Sequence, residues 1–470
     1  MAISLSNTST DYREPKFDRM LSNLQGNILK GHGRNHTQHI FIQFDTGKVE
    51  QTKAWLKSFS SKKVTSCKKQ LLETERFKRN GVSGDTFYGL LLTAEGYRLL
   101  GKDPGEFEAS FTDGMSKAKL NDPKQAKWEV GFRDTIHAMI LIADSDEDKL
   151  ALAAKDIITE IDLHLIPEVS GTAFAKICTI EYGHAIRNSN GDGLEHFGYV
   201  DGISQPLFFY NEVKDNKDAN TSPLIFDPSA SLDLVLVEDP FVKNEDAFGS
   251  YFVFRKLEQQ VKNFKTAEKA LATTLGLQDD DAERAGAMIV GRFEDGTPIT
   301  MHNEAGMISS GIMNNFNYSK DTDGAKCPFH SHIRKANPRK NLPAGDDHKS
   351  HIMARRGIPY GRRDVSTEID PSIPQMPNDG VGLLFMSFQK SITNQFEFIQ
   401  TKWVNEPDFP KKNDGIDPII GQDGVTNKST GKFAQKYDSK SSLESQPFDQ
   451  FVHLKGGEYF FAPSIAFLKK

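Results

Sequence analysis

Hydrophobic positions along this chain switch between two periods, and they do so twice in the same order. In residues 15 to 30, Phe17, Met20, Leu21, Leu24 and Ile28 recur at helical spacing before Gly31 and Gly33, which predicts an N-terminal amphipathic helix. HIFIQF (39 to 44) then predicts a strand, residues 49 to 60 a helix, TFYGLLL (86 to 92) a buried strand and AEGYRLLG a further helix. The rhythm resumes with a strand over 134 to 143, a helix through KLALAAKDIITEI capped by Asp144 or Ser145, and a strand over 172 to 182. In the second half GSYFVFRK, GVGLLFMSFQ and GGEYFFAPS read as strands, while LEQQVKNFKTAEKALATTL and ITNQFEFIQTKW read as helices. Such alternation predicts an α+β fold, with antiparallel sheet covered on one face by helices. Residues 186 to 230, 320 to 380 and 411 to 432 are rich in Gly, Pro, Asn and Asp and read as loops.

With 470 residues the chain is long enough for two domains, and the predicted division is 15 to 210 and 220 to 470. Apolar residues at 37% and charged residues at 26% describe a soluble globular protein, and no apolar run is long enough to span a bilayer. A net charge of −6 argues against general binding to nucleic acid. Three scattered cysteines, Cys67, Cys178 and Cys327, make no disulfide framework, and the first twenty residues lack the features of an export signal, so a cytoplasmic location is expected.

Charge is concentrated in residues 330 to 363. That stretch holds four of the 13 histidines, and nine Lys or Arg (Arg334, Lys335, Arg339, Lys340, Lys349, Arg355, Arg356, Arg362, Arg363) against Asp346 and Asp347, a net of +7. A solvated basic face, a phosphate or nucleic-acid patch, and a pocket for an anionic cofactor all fit it. Cys327, His330 and His332 form C-x2-H-x-H, but histidines two apart seldom direct both rings at one metal. One imidazole on a short turn, after Pro328 and before Asn337-Pro338, suits a haem.

Three other segments carry alternatives. EHFGYVDGISQP (195 to 206) reads either as an ordinary Asp-Gly turn or as a glycine-bracketed loop holding a carboxylate against a flat ligand. IMARRGIPYG (352 to 361) is either a surface arginine pair or a source of positive charge for a departing oxygen. In GLLFMSFQ, Leu383 and Phe385 either fill core or wall a dry cavity.

Together these segments resemble the dye-decolorizing peroxidases. The GxxDG hallmark of that haem family is present as Gly198-Tyr199-Val200-Asp201-Gly202, and LQGNILKGH, GRFEDGTP, CPFHSHIRKANPR, ARRGIPYG, FIQTKWVN and GGEYFFAPS follow in family order, so the resemblance covers about residues 20 to 465. It implies two ferredoxin-like domains with antiparallel sheets packed face to face, the dimeric α/β-barrel type, and one haem b per chain in the second. His332 becomes the proximal iron ligand, Asp201 the distal acid-base and Arg355 the distal arginine, chosen over Arg356 because it opens RRGIPYG. Gly202, Ile203, Leu383 and Phe385 become haem-contacting positions, with Arg339 preferred over Arg334 and Arg292 for the propionates. Asp417 in DPIIG is the candidate carboxylate partner of His332.

The implied activity is reduction of hydrogen peroxide coupled to oxidation of dyes, phenols or related aromatic donors. Asp201 would move a proton between the two peroxide oxygens while Arg355 stabilises charge separating along the O–O bond. A carboxylate base beside an arginine, where many other haem peroxidases use imidazole, predicts an acidic optimum. Bulky donors need a haem-edge channel or a surface aromatic relay, for which Tyr360 and Trp403 are the candidates. The competing function is haem handling (storage, transfer or iron release), which needs no distal acid-base pair. A nucleic-acid patch loses its support once the basic stretch is assigned to propionates.

Overall fold

The computed structural model describes residues 3–161, 173–219, 224–307, 314–342, 347–363, 372–426, 428–439, 442–444 and 447–470. Thr172, Asp346 and Asn427, read above as parts of a strand, the basic stretch and a loop, lie outside them.

Eight strands form the frame: β1 (His36–Phe44), β2 (Phe87–Leu92), β3 (Ala138–Asp144) and β4 (Ala175–His184), then β5 (Phe248–Gln259), β6 (Ile358–Tyr360), β7 (Gly382–Gln389) and β8 (Val452–Ala462). The hydrogen-bonded order is β6-β7-β5-β8-β2-β3-β1-β4, antiparallel throughout. Within each half the fourth strand lies beside the first, then the third, then the second, so both halves carry the ferredoxin-like order that the family resemblance implies. One pair, Phe461 with Leu92, joins them.

The alternating pattern explains which face goes where. Phe41 of β1 meets Phe254 of β5 edge-on at 4.8 Å and Phe460 of β8 at 6.1 Å, so rings from both halves fill one seam. Each fully buried ring of this kind contributes on the order of 2–3 kcal/mol by leaving water. Every residue of β3 is buried, as suits a central strand covered on both sides. Its outer cover is α1 (Glu147–Ile161), which buries Leu150, Ala153, Ala154, Ile157 and Ile161 at three- and four-residue intervals. In the second half α2 (Val261–Leu275) does the same with Val261, Phe264, Leu271, Ala272 and Leu275.

Four local expectations need correction. The N-terminal helix covers only Asp18–Asn23, because the Gln25 side chain donates to the carbonyls of Leu90 and Pro463 and pulls the chain out of the helix long before Gly31. Helix α1 is capped by neither Asp144 nor Ser145: Asp146 accepts from the amides of Asp148 and Lys149. The segment LEQ at 257 to 259 ends β5 rather than starting α2. Helices at Cys67–Asn80 and Tyr210–Ala219 were not anticipated.

Residues 392 to 404 form the expected helix, but it is wound wide, with π-type turns over Ile392–Glu397 and Ile399–Val404. Such winding often marks functional sites. Phe396, Ile399 and Gln400 of this helix border the cavity described next. Among the described residues no helix is long and apolar enough to cross a membrane.

Candidate active site

A cavity of ≈ 340 Å³ lies beside β5 and β7, and His332, Asp201 and Arg355 all line it. Residues more than 130 positions apart in the chain thus meet in one mostly apolar chamber, the usual form of a small-molecule or cofactor site.

His332 opens the short helix α3 (His332–Ala336). Ser331 anchors that turn, donating from Oγ to the Met288 carbonyl and accepting at its own carbonyl from the amides of Arg334 and Lys335. Gly291 permits the close approach: at φ +105°, a Cβ there would stand 2.3 Å from Ile333 Cγ1. The His332 ring is held from behind, with Nδ1 2.8 Å from Asp417 Oδ2. Asp417 is buried, and its Oδ1 accepts from the amides of Ile419 (2.7 Å) and Ile420 (3.0 Å).

Burial by itself would lower the His332 pKa, but the Asp417 charge and hydrogen bond outweigh it and hold the imidazole above its ordinary value. Burial opposes ionisation of Asp417 as well. The His332 charge and hydrogen bond, with the two amides, reverse that and keep the carboxyl below its ordinary value. With Nδ1–H directed at Asp417, Nε2 is the nitrogen left to ligate.

The loop Gly198 to Gly202 brings Asp201 to the chamber. Its amide donates to the Gly193 carbonyl at 2.9 Å, and the Val200 amide to the Glu294 carbonyl at 3.0 Å, which pins the loop at both flanks. Gly202 has φ +79°, and a Cβ there would meet no protein atom within 4 Å, so this part of the wall is bare backbone. Ile203 and Gly202 both border the cavity. Arg355 sits on the short strand Ala354–Arg355, paired to Ser387 of β7. Its amide donates to Gln205 Oε1 at 3.0 Å and its Nη2 to the Ile203 carbonyl at 2.6 Å, leaving Nη1 4.0 Å from Asp201 Oδ1. That spacing is a charge contact without a direct hydrogen bond. Arg356 turns the other way, to the carbonyls of Asn27 and Ile28. Along β7 the period of two sends Leu384 and Met386 into the core and Leu383 and Phe385 to the cavity.

Part of the basic stretch lies in the interior: Arg334, Lys335 and Arg339 are at most 3% exposed, which rules out a solvated face for them, whereas Lys340 and Arg362 are exposed. Arg339 borders the cavity between the rings of Phe226 and Phe316 and donates to the Asn314 and Phe316 carbonyls, the Asn314 side chain and Ser204 Oγ. These partners are neutral, and burial pulls its pKa down to about 9. Arg292 also lines the chamber. Arg334 does not. On the same helix as His332, it pairs with Asp321 at 2.7 Å, so contrary to expectation it is not placed for a propionate: its charge is already neutralised inside the protein. His330 points elsewhere, against Phe433, and among the described residues no three His, Cys, Asp or Glu side chains assemble as a metal site.

The relay candidates fare differently from expectation too. Tyr360 (7% exposed) and Trp403 (3%) are both buried, so neither is a surface aromatic. Trp403 packs on Phe409 and His351, behind residues that border the cavity. Sequence reading missed Glu195, a half-buried carboxylate on the cavity wall. It accepts from the amides of Phe197 (2.8 Å) and Tyr199 (3.0 Å) and so braces the loop of Asp201. Burial raises its pKa against those hydrogen bonds. An acid a few residues ahead of a glycine turn was the signal that could have found it.

Residues 23–176 match the family model described as the DyP dimeric alpha+beta barrel domain, and residues 228–417 match that of the Dyp-type peroxidase C-terminal domain. The multifunctional dye peroxidase DyP2 of Amycolatopsis sp. is 42% identical over 462 residues, covering 96% of this chain and 95% of that protein. The dye-decolorizing peroxidase msp1 of Mycetinis scorodonius is 28% identical, covering 96% and 87%. Among solved structures, the DyP-type peroxidase of Anabaena sp. superposes with a TM-score of 0.90 at 40% identity over 100% of both chains. The Amycolatopsis DyP2 structure superposes with a TM-score of 0.91 at 40% identity, covering 99% and 100%.

Proposed function

The chain belongs to the DyP-type peroxidase family of haem-dependent enzymes, and from that premise we propose that it reduces hydrogen peroxide with Asp201 and Arg355 and oxidises dyes, phenols or related aromatic donors. The observation that carries this reading is the meeting of Asp201, Arg355 and an Asp417-bound His332 on one cavity.

The residues present fit a haem b. His332 offers Nε2, Leu383 and Phe385 offer apolar walls, Gly202 and Ile203 a close backbone, and Arg339 a buried guanidinium whose partners among the described residues are all neutral. A propionate would supply the missing charge for Arg339. When bound, the haem supplies the iron at which the peroxide O–O bond is split and the oxidising equivalents are stored.

The protein's part is proton and charge handling. Asp201 takes the proton from one peroxide oxygen and returns it to the other, so that water departs. Arg355, fixed by Gln205 and the Ile203 carbonyl, holds positive charge 4.0 Å from that carboxylate and stabilises the negative charge that builds on the leaving oxygen. Asp417 keeps His332 Nδ1–H engaged and the imidazole electron-rich. An acid-base pair at the cavity favours this reading over haem storage or transfer.

Two expectations test it. Arg355→Leu is expected to lower the rate of peroxide consumption by about 10²–10³, or about 3–4 kcal/mol; activity within a few-fold of the parent would remove Arg355 from the mechanism. Dye oxidation is expected to peak on the acid side, because the base is a carboxylate and not an imidazole, and a pH profile with its maximum above about pH 8 would contradict Asp201 as the base.

A further inference from the structure

Three residues after His332, on the same helical turn, Lys335 is fully buried, and among the described residues its ammonium pairs with no carboxylate. Its ammonium donates to three main-chain carbonyls, Glu406 at 2.7 Å, Phe409 at 2.6 Å and Gly415 at 2.7 Å, which matches its three protons with three acceptors. Those carbonyls lie at both ends of the loop 406 to 415, which runs directly into Asp417. The same loop is closed on itself by the amides of Asp414 and Gly415 donating to the Pro407 carbonyl, and Asp417 itself is tied back to the Val404 carbonyl. One buried cation therefore fastens the helix of His332 to the segment of Asp417.

We infer that Lys335 is a positioning residue that sets the His332–Asp417 hydrogen bond by caging the 406 to 415 loop against the proximal helix. The inference rests on His332 being the iron ligand. Among the described residues no other hydrogen bond joins this helix to the loop, and charged hydrogen bonds to carbonyls are the stronger class, three of them made here by one group. The Phe409 ring lies under the same ammonium at 5.9 Å, so the cage is roofed by an apolar face as well. Asp417 and Lys335 also sense each other electrostatically, for the Asp417 carboxylate opposes the downward pull of burial on the ammonium.

A role through Asp417 differs measurably from a merely structural one. With the cage opened, the Asp417 carboxylate aligns less well with Nδ1–H, the imidazole donates less, and the ferric state is less favoured. The test uses haem-loaded protein and follows the Fe(III)/Fe(II) reduction potential of Lys335→Met, Asp417→Asn and the double variant. The expected result is a positive shift in each single variant, a double variant no different from Asp417→Asn, and peroxide consumption about 10- to 100-fold slower in all three. Lys335→Ala leaves a hole lined by three carbonyls, so ammonium ion is expected to restore the potential there and not in Lys335→Met, whose stem fills the hole. Lys335→Gln, which is shorter, uncharged and keeps at most two of the three hydrogen bonds, is expected to shift the potential in the same direction by a smaller amount and serves the same comparison if the other variants do not fold.

An unchanged potential in Lys335→Met or Lys335→Gln, or shifts that simply add in the double variant, would overturn the inference. Failure of the underlying reading looks different: the parent haem protein would then lack the iron–imidazole stretch in its ferrous resonance Raman spectrum, whatever Lys335 does.

Discussion

Replacing His332 with Ala is expected to yield a folded chain that no longer retains haem through purification. Among the described residues His332 is the one imidazole that borders the cavity, whereas Arg339 and the apolar walls give only contacts that any flat anionic molecule could share. Loss of a partner behind a ligand typically costs 10–100-fold in metal affinity, and loss of the ligand itself costs more. Absorbance at the haem band relative to protein absorbance measures it, and stoichiometric haem with an unchanged spectrum in His332→Ala would refute the assignment.

The same variant has a signature without haem. His332 is held above its ordinary pKa, so its contribution to stability is full at low pH and is lost as pH rises through the raised value. Asp417 is held below its ordinary pKa, so its contribution is lost as pH falls through the lowered value. The stability gap between parent and variant apoprotein is therefore expected to be widest in the mildly acidic range between the two. Breaking a buried pair by removing one member costs about 3–5 kcal/mol, which calorimetry across pH would register.

Asp201→Asn is the complementary case. The substitution keeps size and leaves His332 and Arg339 untouched, so haem loading is expected to stay full. Proton transfer at the peroxide is what disappears, and positioned acid-base groups are worth about 10²–10⁴ in rate. Stopped-flow mixing with peroxide is expected to show a spectral change slower by that factor, and a rate within a few-fold of the parent would assign the proton transfer to another group. Glu195 would be the one to examine, since among the described residues it is the other carboxylate on the cavity wall.

What was legible in the sequence were features whose signal is local. Seven of the eight frame strands announced themselves by apolar runs, whereas β6 lies in the Gly- and Pro-rich stretch 320 to 380 that reads as loop; the doubled order of elements anticipated two halves of similar topology. The Gly-bracketed Asp201 and the Leu383/Phe385 alternation were readable because period-two patterning and glycine turns are short-range properties. The helix Cys67–Asn80 was missed because half of CKKQLLETERFKRN is charged. Its buried stripe is narrow, with Cys67, Gln70 and Leu71 among its members, although Ser66 as a cap and Gly81 as a stop were there to be seen.

Pairings across long sequence distance were out of reach of any local pattern. Arg334 and Arg339 look alike in HIRKANPR, and only Asp321 decides that the first is spent on the interior while the second faces the cavity. Asp417 stood in a segment read as surface loop, yet it is sealed beneath His332 because two amides and an imidazole satisfy its charge there. Tyr360 and Trp403 were chosen as surface relays from residue type, and burial is a property that residue type alone does not fix.

The central claim is that the chamber shared by His332, Asp201 and Arg355 holds a haem that reacts with peroxide. The visible spectrum of the purified protein, recorded before and after one equivalent of hydrogen peroxide, tests it most directly. The expected result is an intense Soret band that shifts on addition and returns when an aromatic donor is supplied. A colourless protein that stays colourless when haem is offered, or a Soret band indifferent to peroxide, would contradict the account.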